Sequence, residues 1–506
     1  MSGAAAGVFP QAMEACTTLS AISIGILVVY LLLSAAYNLL LHPLHDIPGP
    51  RLCAISRMPW WVANYHGDQV SYLCALHDQY GPVVRYGPND LSYSNGDAWK
   101  DIYGYERGRK ENPKQEKTYL PPFNGVKNMV TANEQDHARV RRIFSPAFSD
   151  RALKKQEPLF QKYIHLLVGN LKKSDGEQVD LVDLFNFTIF DIMGDLTLGQ
   201  PLGLLENNKY TPWVTAIFSS IKVLGIIQFI EYYPALSALW KLLEPRSIYD
   251  MKMNHWNHTK DRVDARLARG STQPDVWNLC VPDDEKGQAG LSLKEMHSNA
   301  EIMMLAGTET TASALSGLFY TLLTHPAEME RAKAEVRAAF ASGRDMTLES
   351  MGGLKYLHAC ISEAMRVYPR CRPDSPVLSP KAATWFWADG FPKVSTNVVV
   401  MQAATYRSPE GWKDPGRYVP ERWLGGGSSG EYRDDRRDWH QPFSFGPRNC
   451  LGQNLAWHEM RLVAASILFH FDVELCEHET GDWFDQKSYM AWERRPLICR
   501  VKYVGQ

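Results

Sequence analysis

The sequence predicts a mainly α-helical fold with small β-sheets, carried behind one N-terminal transmembrane helix. Three observations lead there. Apolar residues recur at three- and four-residue intervals over 150–171, 181–198, 293–324, 326–341, 351–367 and 453–469, whereas strand-like runs are confined to 83–86, 396–401, 472–475 and 497–504. Residues 15–41 contain no Asp, Glu, Lys or Arg. And 45% of the 506 residues are hydrophobic, enough for a large core and too many for a disordered chain.

In chain order, the first element is the run 15–41, which includes Ile22, Ile24, Ile26, Leu27, Val28, Val29, Leu31, Leu32 and Leu33. Roughly 20 such residues in a helix cross a bilayer core. No Lys or Arg precedes it, which separates it from a cleaved signal peptide. Arg51 and Arg57 come after it, which places the bulk of the chain in the cytosol. Residues 42–50, with His42-Pro43 and Ile47-Pro48-Gly49-Pro50, are expected to form a stiff, extended linker, because proline fixes φ and removes a donor. Residues 51–506 show no long linker and no repeat, so they read as one domain. Within it, 212–230 is apolar on nearly every side, either a buried helix pair or a membrane-dipping substrate entrance. The Gly/Ser run 425–430 and the charged 431–438 read as a surface loop.

Composition also excludes classes. A formal net charge of −2 offers no basic field for nucleic acid. Nine scattered cysteines without a C-x-x-C pair are not a disulfide framework, and they suit a reducing compartment.

One cysteine stands apart. Phe443-Ser444-Phe445-Gly446-Pro447-Arg448-Asn449-Cys450-Leu451-Gly452 surrounds Cys450 with the residues of a tight turn. Such a turn can aim backbone N–H groups at the sulfur, and the helix expected from Gln453 adds a positive N-terminus; both favour the thiolate. No second Cys or His stands at zinc spacing. A lone thiolate offered to a planar cofactor is the haem-thiolate arrangement, in which sulfur pushes electron density into iron.

Phe443-x-x-Gly446-x-Arg448-x-Cys450-x-Gly452 resembles the haem-binding signature of the cytochromes P450 at every defined position. Other landmarks stand in the family's order. Glu363-Ala364-Met365-Arg366 is similar to its E-x-x-R, whose pair shares a helix face. Pro420-Glu421-Arg422-Trp423 resembles the segment whose arginine completes that structural network. Ala306-Gly307-Thr308-Glu309-Thr310-Thr311 resembles the oxygen-activation segment. There Gly307 is expected to leave room beside iron, with Glu309 and Thr310 as a proton relay. His137 and Arg141 stand where the family often has W-x-x-x-R, and with Arg448 they are expected on the haem propionates. After Tyr368-Pro369 the chain departs from the family. Arg372 or Lys381 would have to replace the usual propionate-binding residue.

The resemblance implies a cytochrome P450 fold, with 15–41 as anchor, 42–50 as linker and 51–506 as the haem-thiolate catalytic domain. It implies haem b on Cys450 and electrons from NADPH through cytochrome P450 reductase, with cytochrome b5 as a second donor. One oxygen atom of O2 would enter a lipophilic small molecule at the endoplasmic reticulum membrane, the catalytic domain facing the cytosol. Thr405-Tyr406-Arg407-Ser408-Pro409-Glu410 and Asp485-Gln486-Lys487 look most like fungal secondary-metabolite members of the isotrichodermin 15-hydroxylase-like group. The rivals are a reductase-independent haem-thiolate isomerase or dehydratase, which often lacks the acid–alcohol pair kept here as Glu309-Thr310, and a non-catalytic haem binder.

Overall fold

A computed structural model describes residues 8–105, 111–270, 276–280, 290–369, 377–379, 396–425, 430–489 and 491–505. The helix Val8–Leu40 opens the chain, and its part Thr17–Leu40, with mean hydropathy 2.3 and no buried window, is long and apolar enough to cross a membrane. Helices also dominate the remainder of the chain. The central helix Leu293–Leu323 packs along Leu181–Leu198, and Lys355–Val367, Pro326–Ala339 and Gln453–His470 close round it. Nearly every residue of Leu181–Leu198 is buried, so this pair forms the middle of the largest core cluster.

Two small sheets sit at the periphery. The first joins β1 (Val83–Gly87), β2 (Asp90–Tyr93), β4 (Val377–Ser379) and β5 (Thr396–Val400) in the order β1-β2-β5-β4. Only its β2–β5 pairing is parallel. The second joins β3 (Gln178–Asp180), β6 (Phe471–Leu475) and β7 (Ile498–Tyr503), antiparallel throughout, in the order β3-β7-β6.

Most expected helices form within a few residues of their predicted ends. The differences have local causes. The stretch 150–171 is two helices, Asp150–Lys155 and Glu157–Lys173, because Pro158 fits only the first turn of a helix. The stretch 351–367 starts its α-helix at Lys355, after Gly352 and Gly353 have been used in a 3-10 turn. The 24-residue helix Arg246–Arg269 is absent from the pattern of apolar spacing. Its buried stripe is Trp256, Thr259, Val263 and Arg266, helical in spacing but only half apolar. The region 212–230 is one helix, Pro212–Tyr232, bent by 52° about Ser219 and Lys222. Trp213, Val214, Ile217 and Ile227 are buried in it, and the exposed leucines lie further on, in Pro234–Leu243.

The linker 42–50 is folded into turns rather than extended. Arg85, 2% exposed on β1, accounts for this. Its guanidinium donates to the carbonyls of Asn38 (3.0 Å), Leu44 (3.2 Å) and Pro88 (2.8 Å), so it ties the last turn of the N-terminal helix to the first sheet. Asn38 is the position where the helix runs out of backbone donors, and a cation there is favourable.

Candidate active site

Cys450 lies in the loop that enters the helix Gln453–His470. The loop is locked by its own backbone: Cys450 N–H donates to the Phe443 carbonyl at 2.8 Å, and Asn449 N–H to that of Gly446 at 3.1 Å. Gly446 has φ +78°, and a Cβ there would overlap the Tyr103 carbonyl oxygen, so both conformation and space demand glycine. At Gly452 an added Cβ would stand 4.0 Å from the Cys450 sulfur, an ordinary contact. Phe443 is half-buried against Trp457, ring centroids 6.1 Å apart. Of the seven cysteines whose exposure is described, only Cys450 is exposed.

The central helix supplies a second open surface. Ala306 and Thr310, one turn apart, are exposed, and Ser313 and Ala314 are half-buried, on a helix otherwise packed into the core. The Thr310 hydroxyl donates back to the Ala306 carbonyl at 2.7 Å. Gly307 faces elsewhere. A Cβ on it would run into the thioether of Met193, so close helix packing by itself requires a glycine here. Glu309 also points off this stripe; it is 8% exposed, and its Oε2 receives Arg494 Nη2 at 2.6 Å. Burial pushes its carboxyl pKa up, and the Arg494 guanidinium opposes the rise.

Three cations gather by the cysteine loop. Arg141 donates to the Asn449 carbonyl (2.6 Å) and to Asn449 Oδ1 (2.5 Å). Arg448 donates to Glu111 Oε1 (2.8 Å from Nε) and to the Ala132 carbonyl (2.9 Å). Lys114 donates to the Val130 carbonyl at 2.7 Å. His137, 5% exposed, is pushed down to about 4 by burial and then by Arg448, Arg141 and Lys114, so its imidazole is neutral at pH 7. A cleft of about 370 Å³ opens here, lined by Glu111, His137, Arg141 and Pro447 among others.

These features fit a haem. An accessible sulfur on a rigid loop suits an axial ligand, an uncovered stripe on a core helix leaves a face for a flat ring, and an excess of cations suits two carboxylates. Arg372 and Lys381, the expected substitutes on the propionates, lie outside the described residues.

The expected structural network is complete. Glu363 takes Arg366 Nη2 (2.7 Å) and Nε (2.9 Å), and Arg422 Nε (2.9 Å), with all three side chains 0% exposed. Asp435, which no motif indicated, pairs with Arg422 at 2.5 Å.

Sequence reasoning missed four partners: Asp435, Glu111, Arg494 and Glu459. None carries a local signal, since each is brought in by topology. Glu459, on the helix after Cys450, is 1% exposed; burial pushes its acid up to about 8, with the Thr311 hydroxyl opposing.

Comparison with known proteins agrees with this geometry. The sequence profile of the family described as Cytochrome P450 matches residues 48–499. The chain is 43% identical over 470 residues, 92% of its length and 98% of the relative's, to cytochrome P450 monooxygenase FUM2 of Gibberella moniliformis. It is 40% identical over 483 residues, covering 94% and 95%, to cytochrome P450 monooxygenase efuB of Hormonema carpetanum. Against the averantin hydroxylase of Dothistroma septosporum it is 38% identical over 484 residues, covering 94% and 90%.

Proposed function

The chain belongs to the cytochrome P450 family, and from that premise we propose that Cys450 is the residue that ligates its haem iron. The protein is a haem-thiolate monooxygenase of the fungal secondary-metabolite type, using haem b and electrons from NADPH through a partner reductase. Haem held by Cys450 would supply the activation of dioxygen, to which a cysteine thiolate would contribute electron density.

The chain's own residues do the rest. The Gly446 turn fixes the backbone that carries the Cys450 sulfur. Arg448, Arg141 and neutral His137 would hold the propionates, with Lys114 adding charge. Ala306 keeps the reacting face of the central helix small, and Thr310 places a hydroxyl on it. Glu309 handles protons behind Thr310. Glu363, Arg366 and Arg422 take no part in chemistry and keep the loop-bearing half of the fold together.

The observation that carries this reading is the pairing of an exposed sulfur on a locked loop with an exposed Ala306–Thr310 stripe on a core helix. Cys450→Ser should abolish the reduced-CO absorption band characteristic of the family, and an unchanged band would refute the ligand assignment.

Attachment to the endoplasmic reticulum membrane, with cytochrome b5 as a second donor, is the finer reading. The membrane attachment is supported by the apolar helix Thr17–Leu40 and by an exposed apolar face next to it. Leu52, Met58, Val62 and Tyr65 are exposed, a groove of about 870 Å³ runs beside them, and Met58 meets Tyr233 just before Pro234–Leu243. Leu239, Leu242 and Leu243 of that helix are more than half exposed. A lipophilic substrate would arrive through this face, rather than along 212–230. The isotrichodermin 15-hydroxylase-like grouping rests on the two phrases at 405–410 and 485–487.

A further inference from the structure

Arg448 already has a carboxylate partner. Its Nε and Nη2 both donate to Glu111 Oε1, at 2.8 and 2.5 Å, and its Nη1 to the Ala132 carbonyl at 2.9 Å. The pair is largely shielded, with side-chain exposures of 14% and 13%. Arg141 differs, since its acceptors at 2.5 and 2.6 Å both belong to Asn449 and both are uncharged.

Glu111 is presented by a fastened segment. Asn112 Nδ2 donates to the Ile102 carbonyl at 2.8 Å, Lys114 Nζ to that of Val130 at 2.7 Å, and Gln115 Nε2 to Asn397 Oδ1 at 2.6 Å. Ile102 belongs to the helix Ala98–Tyr103, whose Tyr103 carbonyl abuts Gly446 of the cysteine loop. The acid and the loop therefore share one support.

The charges point the same way. Arg448, Arg141 and Lys114 all act on the ring of His137, which is itself neutral. Glu134 and Arg142, exposed on the same cleft, are opposite in sign. Set against Glu111, the three inner cations leave a surplus of two, the charge that two propionates would match. A carboxylate on Arg448 also weakens the hold of a second one, because the guanidinium's donors are shared and its charge is already offset. A positive surplus beside the iron would favour its ferrous form, which carries the smaller charge, and Glu111 opposes that.

We propose that Glu111 is a positioning residue for the haem: by holding Arg448 it limits that arginine's grip on a propionate, balances the charge of the cradle and keeps the reduction potential of the iron low. This rests on the reading of Cys450 as the iron's ligand and of Arg448 as a propionate partner.

Redox titration of the purified holoenzyme reads the potential without substrate or turnover, and the propionate bending mode in resonance Raman spectra reads the hydrogen bonding of the carboxylates. Glu111→Gln keeps the size of the side chain and removes its charge. It should raise the potential, moving the iron about three- to tenfold towards ferrous at a fixed applied potential, the size of one charge lost from a partly buried site. It should also shift the propionate mode, as Arg448 turns to the haem, and retain haem at least as well as wild type. Glu111→Asp keeps the charge and should stay near the wild-type potential. An unchanged or lower potential in Glu111→Gln, an equal rise in Glu111→Asp, or Glu111→Gln purified without haem would overturn the proposal. Arg448→Lys tests the reading beneath it. An unmoved propionate mode there would take Arg448 off the propionates and overturn both, whereas a shifted mode beside an unmoved Glu111→Gln would overturn the role of Glu111 alone.

Discussion

Glu363→Ala should unfold this protein more readily than any surface charge deletion, and the size of the effect can be worked out group by group. The Glu363 carboxylate accepts from Arg366 Nε and Nη2, Arg422 Nε, the Val419 N–H and Trp423 Nε1, all within 2.9 Å. With Asp435 the four side chains are balanced in charge and 0–1% exposed. Removing Glu363 leaves one net positive charge in the core. Arg366 keeps only the carbonyls of Tyr406, Pro415 and Arg417, and Arg422 keeps Asp435 and the carbonyls of Lys413 and Asp414. Breaking a buried pair in this way costs about 3–5 kcal/mol. The stranded Val419 and Trp423 donors add about 1 kcal/mol or more each. Against a typical total of about 5–15 kcal/mol this is severe. The neighbouring pair Arg331–Glu421, also 2.6 Å long but 55% and 43% exposed, provides the control; Glu421→Ala should cost less than about 1 kcal/mol. Urea unfolding followed by tryptophan fluorescence, with reduced-CO absorbance as a measure of haem retained, compares the two. Equal midpoints for Glu363→Ala and Glu421→Ala would refute the reasoning.

Other consequences are open to equally direct tests. Gly446→Ala places a side chain at φ +78° and against the Tyr103 carbonyl; the backbone strain alone is about 1–2 kcal/mol, so haem content of the purified protein should fall, and wild-type content would show that the loop adapts freely. Glu459, pushed up to about 8 from 4.5 by burial, is a neutral acid in the fold, so its contribution to stability is full below about pH 4.5 and is lost as pH rises through 8. Glu459→Gln should therefore lose less stability than wild type between pH 5 and pH 8, measured as urea midpoints, and parallel pH profiles would contradict the shift. Leu242→Cys should react with a hydrophilic maleimide more slowly in vesicles than after detergent extraction, because the 83% exposed side chain meets lipid; equal rates would take the Pro234–Leu243 helix off the membrane.

The sequence is legible wherever the chain encodes its structure locally. The helix 181–198 is predicted to the residue, because its apolar positions are dense and Gly199 stops it in a left-handed conformation. The helix Arg246–Arg269 escapes such reading because its buried stripe includes Thr259 and Arg266, which no hydrophobic period detects. The same division runs through the site. Cys450, Gly446 and the 363–366 pair sit in short motifs, whereas Arg494 reaches Glu309 across 185 residues and only the folded topology brings them together. Gly307 shows a subtler limit. A helical motif gives the spacing of its side chains, but which neighbour each one meets depends on how the helix is rotated in the core, and here that neighbour is Met193.

The contact between Arg85 and the end of the N-terminal helix bears on how this chain can be shortened. The carbonyls of Asn38 and Leu44 belong at once to the anchor's exit and to the hydrogen-bonding shell of a buried guanidinium. Trimming the chain just after the apolar run would therefore remove more than a greasy tail, since Arg85 would keep Leu44 and Pro88 but lose the Asn38 carbonyl from its shell inside the first sheet. A shortened chain should start upstream of Asn38, with the exposed apolar residues Leu40 and Leu41 made polar and the backbone of that turn kept. The boundary between the N-terminal helix and the rest of the chain is thus a shared turn of helix, which couples the direction of that helix to the position of the first sheet.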